Sequence, residues 1–261
     1  MSVDPPRIGL IGGTGLDQPE LLEARVERPM TTPWGTPSAA PVLGEMAGVP
    51  VVFVARHGLE HEWPPHRVNY RANLAALQAA GARVVVGLNA VGGIASWLGP
   101  GCLALPDQLI DYTWGRCQSL WDGPGEMRHV EFTDPMAPPV HACLCEAGRR
   151  LEVAPTPRGV YGVTQGPRLE TRAEIERLAR DGCDMVGMTL MPEAAIAREL
   201  GLAYACIALS VNWAAGRGAR GLHVEMTESM AAATAAALAL LRAALPALAA
   251  LPWPSRDESF T

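Results

Sequence analysis

Residues 8–16, IGLIGGTGL, couple a short apolar run to a cluster of glycines. The run reads as a strand over 8–11. Glycines directly after a strand let successive backbone N–H groups converge on an anion, and Thr14 adds a hydroxyl donor. The ends of strands facing a crevice are where open α/β sheets place ligand chemistry. As a dinucleotide site the stretch is poor. The third glycine of G-x-G-x-x-G is missing, and no acidic residue closes the next strand. Taken alone, a tight turn explains it as well as a phosphate loop does.

Working outward, further β-type apolar runs occur at 49–55, 83–88, 103–110, 159–163 and 202–211. Helical patterns at 68–80, 138–151, 171–180, 192–200 and 226–244 alternate with them, and Pro138 and Pro192 suit first-turn positions. Strand and helix in alternation predict an α/β layered fold. The Pro/Gly-rich stretches 29–44 and 121–139 read as loops, since no composition shift marks a domain boundary. One domain is expected over 1–261, with its core at about 7–247 and a frayed or subunit-packed tail at 252–261.

The chain has 261 residues, 49% apolar and 18% charged, with a net charge of −6. All 21 basic residues are arginine. The lack of lysine excludes a Schiff-base enzyme and a Walker P-loop, and the acidic balance argues against a nucleic-acid partner. Cys102, Cys117, Cys143, Cys145, Cys183 and Cys206 lack C-x-x-C spacing, so neither a zinc site nor a disulfide framework is expected. The Ala/Leu run 230–251 contains Arg242 and Pro246 and reads as an amphipathic helix packed on the protein, with no membrane partner. The N-terminal residues lack a basic region followed by a cleavage site, which predicts a cytoplasmic protein.

Several strand ends carry groups suited to ligands. In VARHGLEHEW, Arg56 and His57 follow the second run, and an arginine fork beside an imidazole suits a phosphate oxyanion. A solvated surface pair is the plain alternative. His57 and His61 are four apart, but Gly58 and Pro64–Pro65 disfavour the helix a metal pair would need, so no metal is expected. VVVGLNAVGGI opens into Asn89, Ala90 and two glycines, a further place for close main-chain approach. Thr171 with Glu174 reads as a capping box, which leaves Glu170 without a capping task. Glu193 lies in a first helical turn and is assigned to the helix dipole rather than to chemistry. No G-x-S-x-G elbow occurs, so a serine hydrolase is not expected. In ALSVNWAAG, 208–216, an apolar strand ends on Asn212, a group that donates and accepts at once.

Together GGTGL, RHG with VNYRANL, NAVGGI, TQGPRLET, GMT with MPEA, and VN resemble one family, the trimeric purine nucleoside and methylthioadenosine phosphorylases. The resemblance runs in order from Ile8 to about Ala244. It implies a single α/β domain with a mixed central sheet flanked by helices, a homotrimer or a dimer of trimers. It also implies cleavage of a purine N-glycosidic bond by inorganic phosphate as co-substrate, with no cofactor. By the same resemblance Thr14, Arg56, His57, the Ala90 N–H and Thr189 contact phosphate. Met188 packs on the sugar, and Leu169 and Glu170 form the base pocket, where the family often has Phe instead of Leu. His129 corresponds to a histidine that a neighbouring subunit inserts near the 5′ end of the sugar.

Against that background Asn212 offers an NH₂ to O6 and a carbonyl to N7–H of a 6-oxopurine, while Glu170 accepts from N1–H. Adenine-specific relatives carry Asp at the position of Asn212, a second Asp at Ala214 and Ser at Glu170. Met226 falls where ordinary purine nucleoside phosphorylases have a histidine near the 5′-hydroxyl, with His223 as the alternative. A thioether suits a methylthio group and cannot satisfy a hydroxyl. The expected substrate is therefore 5′-methylthioinosine, cleaved to hypoxanthine and 5-methylthioribose 1-phosphate. The alternatives are an inosine or guanosine phosphorylase, a methylthioadenosine phosphorylase, a hydrolytic nucleosidase, and a non-catalytic nucleoside-binding protein.

Overall fold

Ten strands form one mixed sheet in the computed structural model, which describes residues 7–121, 123, 129–151, 154–219 and 221–252. In chain order the strands are β1 (Arg7–Gly12), β2 (Glu23–Glu27), β3 (Val42–Met46), β4 (Val49–Ala55), β5 (Ala82–Gly93), β6 (Leu103–Ala104), β7 (Gln108–Asp111), β8 (Val160–Val163), β9 (Met185–Gly187) and β10 (Ala203–Trp213). The helices are α1 (Tyr70–Ala79), α2 (Pro138–Gly148), α3 (Arg172–Arg180), α4 (Leu190–Glu199) and α5 (Leu222–Ala249).

The sheet runs β2-β3-β4-β1-β5-β9-β8-β7, and β10 branches from β5 and carries β6. Strand β5 is the hub. On one edge it pairs in parallel with β10 from Val84 to Gly93. On the other it pairs with β1 only as far as Gly87, and with β9 only at Gly92 and Gly93. A fork therefore opens beside residues 88–91. Backbone groups alternate sides along a strand. The Leu88 carbonyl accepts from Arg56 across the fork, so Ala90, two residues on, turns its N–H the same way.

The same period of two fills both faces of the sheet. Val51, Phe53, Val84 and Val86 pack with α2 and α5 on one face; Val52, Val54 and Val85 pack with α1 and α4 on the other. Helix α5 is long and apolar enough to cross a membrane by length and composition. It nevertheless buries a stripe of Ala233, Ala237, Leu240, Leu241, Ala244, Leu245 and Leu248 in the core, at helical spacing.

Four sequence expectations change. The run 103–110 is two strands, β6 and β7, because Pro106 and its neighbours interrupt it. The run 83–88 continues to Gly93, so Asn89 and Ala90 lie inside a strand rather than beyond its end. Helix 226–244 extends to Leu222–Ala249. Strands β2, β3 and β9 have no counterpart among the predicted runs. The expected tail lies, from residue 253, outside the described residues.

Candidate active site

A cavity of about 420 Å³ occupies the fork and the strand ends around it. Thr14 reaches it from the turn after β1, Arg56 and His57 from the end of β4, and Ala90 from β5. Met188 and Thr189 come from the link between β9 and α4, and Leu169 and Glu170 from the link between β8 and α3. Asn212 and Ala214 come from the end of β10, and Met226 from the first turns of α5. Every site residue expected from the sequence except His129 thus lines one cavity. His129 is exposed and is absent from that lining. His223 is exposed and outside it too, which leaves Met226 as the α5 side chain of that pair facing the cavity.

At one end Arg56 is fully buried. Its Nε donates to Glu193 Oε2 at 2.7 Å and its Nη2 to Glu193 Oε1 at 2.9 Å. Nη2 also donates to Asn89 Oδ1 at 3.2 Å, and Nη1 to the Leu88 carbonyl at 2.9 Å. Burial opposes this charge, yet the Glu193 carboxylate outweighs it and the guanidinium titrates above its ordinary value. Glu193 is thus the buried partner of Arg56, correcting its assignment to the helix dipole. Arg56 itself is no open fork, since most of its donors are spent inside the protein. Gly13 allows the close fit: a Cβ there would lie 2.5 Å from Arg56 Nη1 and 2.7 Å from the Leu88 carbonyl.

Asn89 orients the neighbouring hydroxyl. Its Nδ2 donates to Thr189 Oγ1 at 2.7 Å, and Thr189 makes no side-chain cap bond to α4. The hydroxyl proton is therefore left for a ligand.

His57 is buried and its Nδ1 lies 2.7 Å from the Trp63 carbonyl, an acceptor, so Nδ1 carries the proton and Nε2 keeps a lone pair. Burial first, then the adjacent Arg56, lower its pKa from 6.5 to about 4. The stabilising arrangement is complete above pH 6.5, the unfolded value, and is lost as pH falls towards 4. In that window the unfolded chain binds a proton that the folded chain refuses. Without phosphate, denaturant titrations are expected to show stability falling by up to about 3 kcal/mol from this group between pH 7 and 4. His57→Gln removes that part of the slope. An identical slope in the variant would show that His57 is not buried neutral.

At the other end Glu170 Oε1 accepts from Thr164 Oγ1–H at 2.6 Å. Burial raises its pKa, and the Thr164 bond opposes the rise. Asn212 is buried, and its Nδ2 donates to the Trp213 carbonyl at 2.6 Å. That bond fixes which end of the amide is donor, and it leaves the second Nδ2–H and Oδ1 for a ligand. Trp213 N–H in turn donates to Glu225 Oε2 at 2.9 Å, tying the end of β10 to α5.

Arg116 joins the two cavity walls. Its Nη1 donates to the carbonyls of Met188 and Met191 at 2.8 and 2.7 Å, and its Nη2 to Gln165 O at 2.8 Å. No local pattern in the sequence points to Arg116, Thr164, Glu225 or Tyr204, whose hydroxyl donates to Glu193 Oε1 at 2.7 Å. For the Asn89 amide the sequence does carry a signal, a polar residue inside an apolar strand.

The phosphorylase superfamily profile matches residues 7–246. A probable S-methyl-5′-thioinosine phosphorylase of Xylella fastidiosa (strain 9a5c) is 51% identical over 222 residues, 85% of this chain and 93% of that protein. The 6-oxopurine nucleoside phosphorylase of Pyrococcus furiosus is 40% identical over 249 residues, 92% of each chain. A crystal structure of a variant adenosine/methylthioadenosine phosphorylase from Schistosoma mansoni, in complex with methylthioadenosine, superposes with TM-score 0.88 at 30% identity. That match covers 95% of this chain and 93% of the other. With a profile match across nearly its whole length and the mixed sheet of its structural neighbours, this chain belongs to the phosphorylase superfamily.

Proposed function

We propose that the protein cleaves the N-glycosidic bond of a 6-oxopurine nucleoside with inorganic phosphate, and that its preferred substrate is 5′-methylthioinosine. The products are hypoxanthine and 5-methylthioribose 1-phosphate. One observation carries the reading: an amide whose donor end is fixed and a carboxylate line the same cavity as Thr14, Arg56, His57, Ala90 and Thr189.

Phosphate held by the Thr14 and Thr189 hydroxyls, the Ala90 N–H and Arg56 lies beneath C1′. As the C1′–N9 bond lengthens, the ribosyl group gains positive charge and the base gains negative charge. The phosphate oxygen stabilises the first and then bonds to C1′. Asn212 meets the second, donating through Nδ2 to O6; once the departing anion takes a proton from solvent at N7, Oδ1 accepts from that N7–H. Glu170 accepts from N1–H and fixes the base in its plane. Adenine presents a lone pair at N1, which faces the Glu170 carboxylate unfavourably. No covalent enzyme intermediate and no cofactor enter the reaction.

At the sugar, Met226 offers a polarizable apolar contact to a methylthio group and no partner for a 5′-hydroxyl. The same reading places the enzyme in the cytoplasm as a homotrimer, with His129 reaching a neighbour's 5′ pocket. Met226→His tests the sugar assignment. The ratio of kcat/KM for methylthioinosine to that for inosine is expected to fall by about tenfold or more. A ratio that does not move would remove Met226 from the 5′ pocket.

A further inference from the structure

Inorganic phosphate carries between one and two negative charges at neutral pH, yet the described residues lining the cavity offer no excess of positive charge. Among the described residues lining it, Arg56 is the one permanent cation, against the carboxylates of Glu62 and Glu170. The Arg56 charge is also answered from behind. Glu193, 1% exposed, takes the guanidinium through both carboxylate oxygens, and Tyr204 O–H donates to the same Oε1 at 2.7 Å. Gly87 makes room for this trio, since a Cβ there would meet the Tyr204 hydroxyl and lie 2.9 Å from Glu193 Oε1.

The donor count is equally restrictive. A guanidinium has five N–H groups. Nε–H and one Nη2–H go to Glu193, the other Nη2–H to Asn89, and one Nη1–H to the Leu88 carbonyl. A single Nη1–H remains. A buried carboxylate that accepts three hydrogen bonds, two of them from an arginine 137 residues away in the chain, is a costly device for structure alone, because buried ion pairs contribute little net stability against apolar replacements.

We propose that Glu193 is a positioning residue for phosphorolysis: it aims one Arg56 N–H at the anion and cancels the guanidinium charge, so phosphate is held by directed donors and keeps its own charge for C1′. The inference rests on the phosphate assignment of this end of the cavity. A freely charged arginine would bind phosphate more tightly in the ground state. It would also stabilise the ground state more than the transition state, where the phosphate has given up charge to the sugar.

Glu193→Gln keeps the shape and removes the charge. Steady-state kinetics are expected to show kcat lowered by about tenfold or more, with KM for phosphate unchanged or reduced. A raised phosphate KM, or an unchanged kcat, would overturn the proposal. Should the variant fail to fold, the unaltered enzyme decides. Raising KCl from about 0.03 to 0.3 M is expected not to raise its phosphate KM, whereas a several-fold rise would reveal a net positive field and contradict the inference. Base release from the unaltered enzyme that needs no phosphate at all would instead remove the underlying assignment, which separates the two failures.

Discussion

Asn212→Asp is expected to lower kcat/KM for 5′-methylthioinosine by at least about 100-fold, because it leaves buried polar groups of enzyme and base unpaired. The carboxamide uses one Nδ2–H on the Trp213 carbonyl at 2.6 Å, leaving the other for O6. A carboxylate has neither. It would set one oxygen against that carbonyl and present the other to O6, two repulsive contacts in a buried site. Its acceptors do suit the exocyclic amine of adenine, so the ratio of methylthioadenosine to methylthioinosine cleavage rises even as total activity falls. The single substitution is the cleaner test. Ala214→Asp, the second change towards the adenine-directed relatives, places a carboxylate at a position only 2% exposed. Steady-state assays on both nucleosides check the outcome, and an unchanged ratio would take Asn212 out of base recognition.

Arg56→Ala is expected to lose both stability and phosphorolysis. Removing one partner of a buried pair costs about 3–5 kcal/mol, because Glu193 is left charged and unmatched. Removing the guanidinium also takes a donor from the phosphate and support from Asn89, which holds Thr189. A fall in kcat/KM for phosphate of about a thousandfold is expected. The double variant Arg56→Ala with Glu193→Gln separates the two effects. It leaves no unpaired charge, so the denaturation midpoint recovers in part, while activity does not. Recovery of activity with stability would make Arg56 a prop for the fold and nothing more.

Those two residues also mark what could be read without coordinates. Strands β1, β4 and β10 and the capping box of α3 were legible because apolar runs stop at glycines or caps, and the box forms through Thr171 and Glu174 as its spacing requires. Strand β2 was not legible, because all five of its residues are exposed and no alternation survives. Strand β9 has only three residues, too few for a period. The far half of β5 contains Asn89, Gly92 and Gly93, which read as the open end of a strand and are held in the sheet by β10 and β9.

The site divided along the same line. Residues at glycine-rich strand ends announced themselves through local pattern, and the fold gathered them into one cavity. Glu193 did not. A carboxylate in a first helical turn has a sufficient local explanation, and its tertiary partner lies 137 residues away in the chain. Arg116 sits in a segment with no periodic signal, and most of its acceptors are backbone carbonyls that no side-chain pattern reports.

The most direct test of the account is base release from methylthioinosine, methylthioadenosine, inosine and guanosine, each measured with and without inorganic phosphate. The account predicts release only with phosphate, one sugar 1-phosphate formed per base, and methylthioinosine as the best substrate. Turnover in phosphate-free buffer, or methylthioadenosine cleaved as well as methylthioinosine, would contradict it.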